Sequence, residues 1–328
     1  MPLIPITHTP GRHCASTALS DLMNFQGIPW SEAFCFGIGR GLGIWYIDTG
    51  ETPPERLVHV RSADIEERFF RGMGQPFAWE RFDDPSAGEA ALINAIDRGT
   101  PALIQTDIYY LPHYDKSAHF PGHAVAVWGY DGARQVFVIT DTERPDPVEV
   151  PFEDMRRARC YAMGFFDIRG NMYVPGRLDV PDDPGGAVMK AVAGNSRSLA
   201  GSTDPRYGLP ALRTWLDDLP AWEGLKDRRW TARFASQVIE KRGTGGGGFR
   251  LMYADFLDEA AAILPGIAAA GLPGLMREAG LAWRELSLSL RKLSESEGFA
   301  CDEVRRALEE VLARESACHA AVEGFSRS

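Results

Sequence analysis

Three residue types in one order suggest thiol chemistry. Cys14 opens an amphipathic segment, His123 opens the apolar alternating run His-Ala-Val-Ala-Val-Trp-Gly-Tyr-Asp (123–131), and Asp141 ends the next strand-like run, Gln135–Thr140. A thiolate is a strong nucleophile, and helix N-terminal dipoles with a nearby imidazolium lower a thiol's pKa. A histidine takes and returns the proton, while a carboxylate fixes its tautomer and orientation. Cys14, His123 and Asp141 are therefore the candidate nucleophile, acid–base and orienting group of an enzyme. Small polar neighbours (Gly11-Arg12-His13, then Ala15-Ser16-Thr17) suit an exposed thiolate at Cys14. Cys35 and Cys160, among apolar and aromatic residues, read as core. Asp131 is the rival carboxylate, but Asp-Gly already explains it as a turn.

Other chemistry is weaker. The cluster Gly37-Ile-Gly39-Arg-Gly41-Leu-Gly43 lacks a preceding strand and a correctly spaced third glycine, so a dinucleotide fingerprint fails. Gly243-Thr-Gly-Gly-Gly-Gly248 lacks the Gly-Lys-Ser/Thr ending of a P-loop. Both read as flexible loops or close backbone approaches around an active site. His113, His119 and His123 with Asp107 and Asp115 fit no zinc spacing, so no metal and no cofactor are expected.

The elements that must position these residues are legible in outline. Cys14–Phe25 places Ala15, Ala18, Leu19, Leu22 and Phe25 on one helical face, with Gly27 as its stop. Further helices are expected at 32–37, Gly88–Arg98 and Phe152–Arg159, and strands at Pro101–Leu111, 123–130, 135–140 and Ala162–Ile168. Helix on antiparallel sheet is α+β. Turn residues crowd 175–186, and beyond them nearly everything has helical period, at about 187–199, 208–218, 229–241, 249–264, 272–293 and 299–320. The expected division is a catalytic domain over 1–175 and a mainly α-helical domain, a lid or a substrate or partner domain, over 176–328.

The chain has 328 residues and a formal charge of −10 with no basic stripe, which argues against a nucleic-acid partner. Five cysteines form no CxxC pair, which suggests free thiols in a reducing cytoplasm. There is no apolar run near 18 residues and no leader-like N-terminus, so no membrane association and a cytoplasmic location are expected.

Two stretches resemble a known family. His13-Cys14-Ala-Ser-Thr17, Ser31-Glu32, Phe36-Gly-Ile-Gly-Arg-Gly-Leu-Gly43, Asp107-Ile-Tyr-Tyr-Leu-Pro112 and His119-Phe-Pro-Gly-His123 resemble the N-terminal domain of the butirosin-biosynthesis protein H family. Gly243-Thr-Gly-Gly-Gly-Gly-Phe-Arg-Leu-Met-Tyr-Ala-Asp-Phe-Leu257 resembles its C-terminal companion. The resemblance implies a papain-like fold related to C39-type cysteine peptidases, with Cys14, His123 and Asp141 where that fold's triad falls. It also implies acyl transfer from a carrier-protein thioester to an amine, in antibiotic biosynthesis. In papain-like enzymes a glutamine six residues before the nucleophile helps form the oxyanion hole; His8 stands there in this chain. His8 and His13, with Asp107, Tyr109 and His119 from the motif segments, are the expected oxyanion or substrate-binding residues.

The expectation is thus a cysteine-dependent acyltransferase forming an amide through an acyl-enzyme. Its donor is an acyl carrier protein or a small acyl thioester, and its acceptor a small-molecule amine. A hydrolase or cyclase on the same triad is the alternative, and a non-catalytic scaffold the second. Docking an acidic carrier calls for a basic patch, for which the run Arg156–Arg159 is the candidate. The Gly243–Gly248 loop is expected to be the mobile edge of a helical cover that excludes water. The leucine-rich helix at 272–293 leaves a homo-oligomer open.

Overall fold

A computed structural model describes residues 2–116, 119–160, 162–163 and 166–327. In chain order the elements begin with α1 (Cys14–Phe25), α2 (Glu32–Ile38), the hairpin β1 (Leu42–Asp48) and β2 (Arg56–Arg61), α3 (Ile65–Gly72) and α4 (Pro85–Asp97). Strands β3 (Ala102–Thr106), β4 (His123–Asp131), β5 (Val136–Thr140) and β6 (Val148–Pro151) follow, then α5 (Phe152–Arg159). Three short strands come next, β7 (Ala162–Met163), β8 (Phe166–Asp167) and β9 (Met172–Tyr173). The remainder is helical: α6 (Pro184–Ala200), α7 (Leu209–Asp218), α8 (Arg228–Glu240), α9 (Arg250–Ala261), α10 (Gly266–Ala269), α11 (Leu272–Glu295) and α12 (Asp302–Arg327). At 52% helix and 13% strand this is a mixed α and β chain with a helical C-terminal region. The strand expected over Ala162–Ile168 is the pair β7 and β8; residues 164–165 lie outside the described residues.

Two compact units result, Met1–Cys35 with Met73–Pro181, and Phe36–Gly72 with Asp182–Ser328. In this division residues 36–72 group with the C-terminal helices. The cause is polar pairing over long sequence distance. Asn195 on α6 accepts from the Leu42 amide at 3.2 Å and donates to its carbonyl at 3.1 Å. Arg250, opening α9, donates to the carbonyls of Val60 (3.1 Å) and Gly43 (3.2 Å) on the hairpin. Gly43 is required there: a Cβ would stand 2.2 Å from the Arg61 carbonyl oxygen. The glycine cluster at 37–43 is thus a site of close backbone approach within helix and strand, not a flexible loop.

The first unit is built on a five-stranded antiparallel sheet of order β6-β5-β4-β3-β9. Strand β4 is buried from His123 through Gly129, which explains its nearly continuous apolar run. Helix α1 buries Ala15, Ala18, Leu19, Leu22 and Met23, a stripe of 3.6-residue period, and packs on β4. Phe25, at its end, meets Trp128 of β4 edge-on with ring centroids 5.8 Å apart. Cys35 is core as expected. Cys160 is exposed instead, because it caps α5 where the chain turns away.

In the second unit Arg250 is fully buried and ion-paired with Glu315 of α12 at 2.6 Å. Trp283 of α11 donates to the same carboxylate at 2.7 Å, and the Arg250 guanidinium lies 4.9 Å from the centre of its ring. The glycine loop before α9 is held by hydrogen bonds in this arrangement. Thr244 is buried and donates to the Ile239 carbonyl at 3.0 Å, and the Gly247 amide donates to Glu240 at 3.0 Å. Gly243 and Gly245–Gly248 have positive φ, a path that a side chain strains. On α11, Leu286, Leu290 and Leu293 are buried while Leu281 and Leu288 are exposed. Among the described residues no helix is long and apolar enough to cross a membrane.

Candidate active site

The end of the β3–β4–β5 ladder carries the chemistry. Thr106 pairs with His123, so His123 stands where β4 begins. Ala126 pairs with Thr140, so Asp141, the next residue, arrives beside that start. Helix α1, packed on β4, begins with Cys14. Local sequence therefore places one member on each of three neighbouring elements.

The three side chains meet. His123 Nε2 donates to Asp141 Oδ1 at 2.8 Å, and His123 is also hydrogen bonded to Cys14. His123 is buried and the Asp141 carboxylate wholly so, while Cys14 is partly exposed. Burial alone disfavours the imidazolium, but Asp141 and Cys14 outweigh it and raise the His123 pKa to about 10. Burial also works against the Asp141 carboxylate, yet His123, His113 and Thr142 overcome it and hold it well below the usual carboxylate range. A charged imidazolium between a carboxylate and a sulfur is the state that keeps a thiolate at neutral pH.

Further residues complete the site. His113 Nε2 donates to the other Asp141 oxygen at 2.7 Å, and Thr142 Oγ1 donates to Oδ1 at 2.9 Å. The Tyr114 hydroxyl lies 3.4 Å from His123 Nε2 and hydrogen bonds Asp141. Burial and the neighbouring carboxylate push its phenol above the ordinary range. Glu32 holds the loop before the nucleophile, accepting the amides of Arg12 (2.9 Å) and His13 (2.7 Å) and the hydroxyls of Ser16 and Thr17 (both 3.2 Å). The Gly11 amide donates to the Thr142 carbonyl at 2.8 Å, tying this loop to the Asp141 segment. Gly11 must be glycine, since a Cβ would lie 2.0 Å from Thr17 Oγ1.

The expected binding residues fall into two groups. His13 is buried and caps α1, its Nδ1 accepting the Ser16 amide at 3.3 Å. His8 has both ring nitrogens engaged, Nδ1 with Asp21 at 2.7 Å and Nε2 with the Arg144 carbonyl at 2.8 Å. Burial lowers its pKa, but Asp21 and that carbonyl outweigh burial and raise it. The backbone N–H groups at the start of α1, which lack partners within the helix, can supply a donor beside Cys14. Asp107, Tyr109 and His119 form a separate cluster at the same end of the sheet. Two arginines of the run Arg156–Arg159 are engaged within the fold. Arg156 pairs with Glu89 at 2.7 Å, and buried Arg159 donates to the carbonyls of Gly88 and Gly170. Among the described residues, no group of three His, Cys, Asp or Glu side chains could hold a metal ion.

Comparison with known families matches both halves. Residues 13–142 match the model described as butirosin biosynthesis protein H, N-terminal, and residues 153–322 match a domain of unknown function (DUF4872). The chain belongs to the butirosin biosynthesis protein H-like family. The family's two-domain architecture is present in the expected order. Membership implies a biosynthetic enzyme and connects the chain with antibiotic biosynthesis. The family's N-terminal match contains Cys14 and His123 and ends one residue after Asp141. No curated protein matches the chain.

Proposed function

We propose that the protein is a cysteine-dependent acyltransferase that moves an acyl group from a thioester to an amine through an acyl-enzyme at Cys14. One observation carries the reading. Cys14, at the start of a helix, is hydrogen bonded to a histidine whose Nε2 is anchored by a buried carboxylate. With Nε2 taken by Asp141, Nδ1 is the nitrogen that exchanges a proton with sulfur. A helix carrying the cysteine, packed on an antiparallel sheet carrying histidine and aspartate, supports a papain-like catalytic unit over residues 1–35 and 73–181. His123 and Asp141 keep their expected roles as acid–base and orienting group.

The chemistry follows from the donor. The Cys14 thiolate attacks the thioester carbonyl, the backbone amide at the start of α1 receives the oxyanion, and His123 gives its proton to the departing thiol. One thioester replaces another, so acylation has little thermodynamic cost. An amine then attacks, the C–S bond to Cys14 breaks, and His123 takes an amine proton. The donor is a carrier-protein or small-molecule acyl thioester, and the product an amide in antibiotic biosynthesis.

Intact-protein mass after mixing with a panel of acyl thioesters tests this reading. A mass gain equal to the acyl group, absent in Cys14→Ala, is expected. No adduct and no thiol release from any donor overturns it, and thiol release with acid as product, whatever amine is added, makes the protein a hydrolase.

A further inference from the structure

Asp141 is held on both of its chain neighbours. One residue earlier, Thr140 Oγ1 donates to Asp21 Oδ2 on α1 at 2.7 Å and accepts Trp128 Nε1–H of β4 at 2.9 Å. Three residues later, the Arg144 amide donates to the Asp141 carbonyl at 2.9 Å and closes a turn. The Arg144 carbonyl in turn faces His8 Nε2 at 2.8 Å. His8 Nδ1 meets the same Asp21 oxygen as Thr140, at 2.7 Å. One histidine–carboxylate pair thus joins the segment before Cys14, the helix that Cys14 opens, and both flanks of Asp141. Each of the two side chains is only 3% exposed.

The partners of His8 fix where its protons lie. A carbonyl only accepts, so Nε2 carries a hydrogen. Asp21 also accepts from Thr140 and from the Thr9 amide, as a carboxylate does, so Nδ1 carries a hydrogen too. With both bonds made, His8 is an imidazolium. Burial disfavours that charge, and Asp21 on α1, the Arg144 carbonyl and Asp141 at the end of β5 outweigh it. The Arg144 guanidinium is turned to the His113 carbonyl at 2.7 Å and lies over the Tyr114 ring. Loss of the Nδ1 proton to solvent sets a ring lone pair against a carboxylate oxygen at 2.7 Å. One His8 bond must then open, either at Asp21, which anchors Thr140, or at Arg144.

We propose that His8 is a positioning residue for Asp141: as an imidazolium clamped between Asp21 and the Arg144 carbonyl, it holds the turn that presents Asp141 to His123, and the turn loosens when that proton leaves. This rests on the reading of Cys14, His123 and Asp141 as an acyl-transfer triad. His8 touches neither sulfur nor substrate in this role. It acts through the backbone of residues 141–144, and Asp21 sets its charge.

The test sets the rate of Cys14 acylation beside the charge of His8. Acylation by an N-acetylcysteamine thioester is followed by intact mass across pH, and histidine imidazole resonances are recorded in the same buffers. His8→Ala identifies the His8 signals and is expected to lower the rate about fivefold or more near pH 7. The wild-type rate should fall over the interval in which His8 loses its proton. Asp21→Asn should abolish that fall, because an asparagine amide can donate to the neutral ring and keep both His8 bonds. A residue needed only for packing would lower the rate equally at every pH. The proposal is overturned by a wild-type rate in His8→Ala, by a rate indifferent to the His8 titration, or by a fall that survives in Asp21→Asn. Absence of acylation in the wild type at every pH defeats the acyl-transfer reading instead. His8 is then decided by the His113 and His123 resonances. Shifts that accompany the His8 titration in the wild type and vanish in Asp21→Asn uphold its role, and resonances that ignore it overturn that role.

Discussion

Replacing Asp141 by Asn keeps the shape of the side chain and removes its charge, which isolates what the carboxylate does for His123. Burial lowers the His123 pKa more than any other single influence, and Asp141 is the largest influence opposing it. The rise from 6.5 to about 10 corresponds to roughly 5 kcal/mol of preference for the charged ring. Without Asp141, burial is opposed mainly by Cys14, and the ring is neutral near pH 7. Loss of the imidazolium should favour the thiol form of Cys14. Alkylation by iodoacetamide from about pH 5 to about pH 10 reads this directly. Wild-type Cys14 should react at a nearly level rate across neutrality. In Asp141→Asn the rate near pH 7 should fall about tenfold or more and climb toward the ordinary thiol range near ~8.5. Stability follows with a defined sign. The His123 pKa is raised in the folded state, so its contribution is complete below about pH 6.5 and is lost as pH rises toward about 10. Denaturant unfolding in a Cys14→Ala background, where no thiol titrates in the same window, should show stability declining as pH rises above about 6.5 with Asp141 present and nearly flat in Asp141→Asn. Superimposable alkylation profiles for the two proteins would refute the reasoning.

Two other perturbations test the supports around this core. In Glu315→Gln the Arg250 guanidinium stays buried without its anion, which should cost about 3–5 kcal/mol in unfolding followed by tryptophan fluorescence. Burial opposes the Glu315 carboxylate, but Arg250 and His319 lower its pKa to about 2, so this stability is present above the ordinary carboxylate range and is lost as pH falls through about 2. A loss under about 1 kcal/mol would show the pair to be dispensable. Glu32→Ala removes the acceptor for the Arg12 and His13 amides, charge-assisted bonds worth about 1.5–3 kcal/mol each. Alkylation of Cys14 should slow several-fold, with Glu32→Gln intermediate; an unchanged rate in both variants would remove Glu32 from the positioning of the nucleophile.

What was legible in the sequence was what is local. Helix α1 begins and ends at the expected residues because its apolar spacing, its capping residue and Gly27 all lie within one short window. The strands carrying His123 and preceding Asp141 show as short apolar runs for the same reason. The hairpin 42–61 is not legible beyond its glycine cluster, because Gly43 is small to let the Arg61 backbone approach and the hairpin's polar partners Asn195 and Arg250 lie far along the chain. His113, Tyr114 and Thr142 were missed as site members because they sit on loops without periodicity, brought to Asp141 only by the fold. Glu32 carried one signal, its place in the motif shared with the nucleophile's segment. A carboxylate at a helix start ordinarily reads as a dipole effect on its own helix, and here it serves the loop before α1.

The shared carboxylate also bears on how one histidine serves both halves of the proposed reaction. The His123 pKa is held up by Asp141 and by Cys14. Acylation of Cys14 removes the thiolate charge and leaves Asp141 in place, so the imidazolium is held less tightly just when the departing thiol needs its proton. Once neutral, His123 is ready to take a proton from the attacking amine, and the returning thiolate raises its pKa again. Asp141 keeps the ring in one tautomer throughout, and His113 and Thr142 keep Asp141 from turning toward the vacated charge. The carboxylate therefore needs its extra donors. A carboxylate anchored by His123 alone would follow the ring's charge as it comes and goes, whereas one held on both oxygens sets a fixed field in which the sulfur alone switches the base.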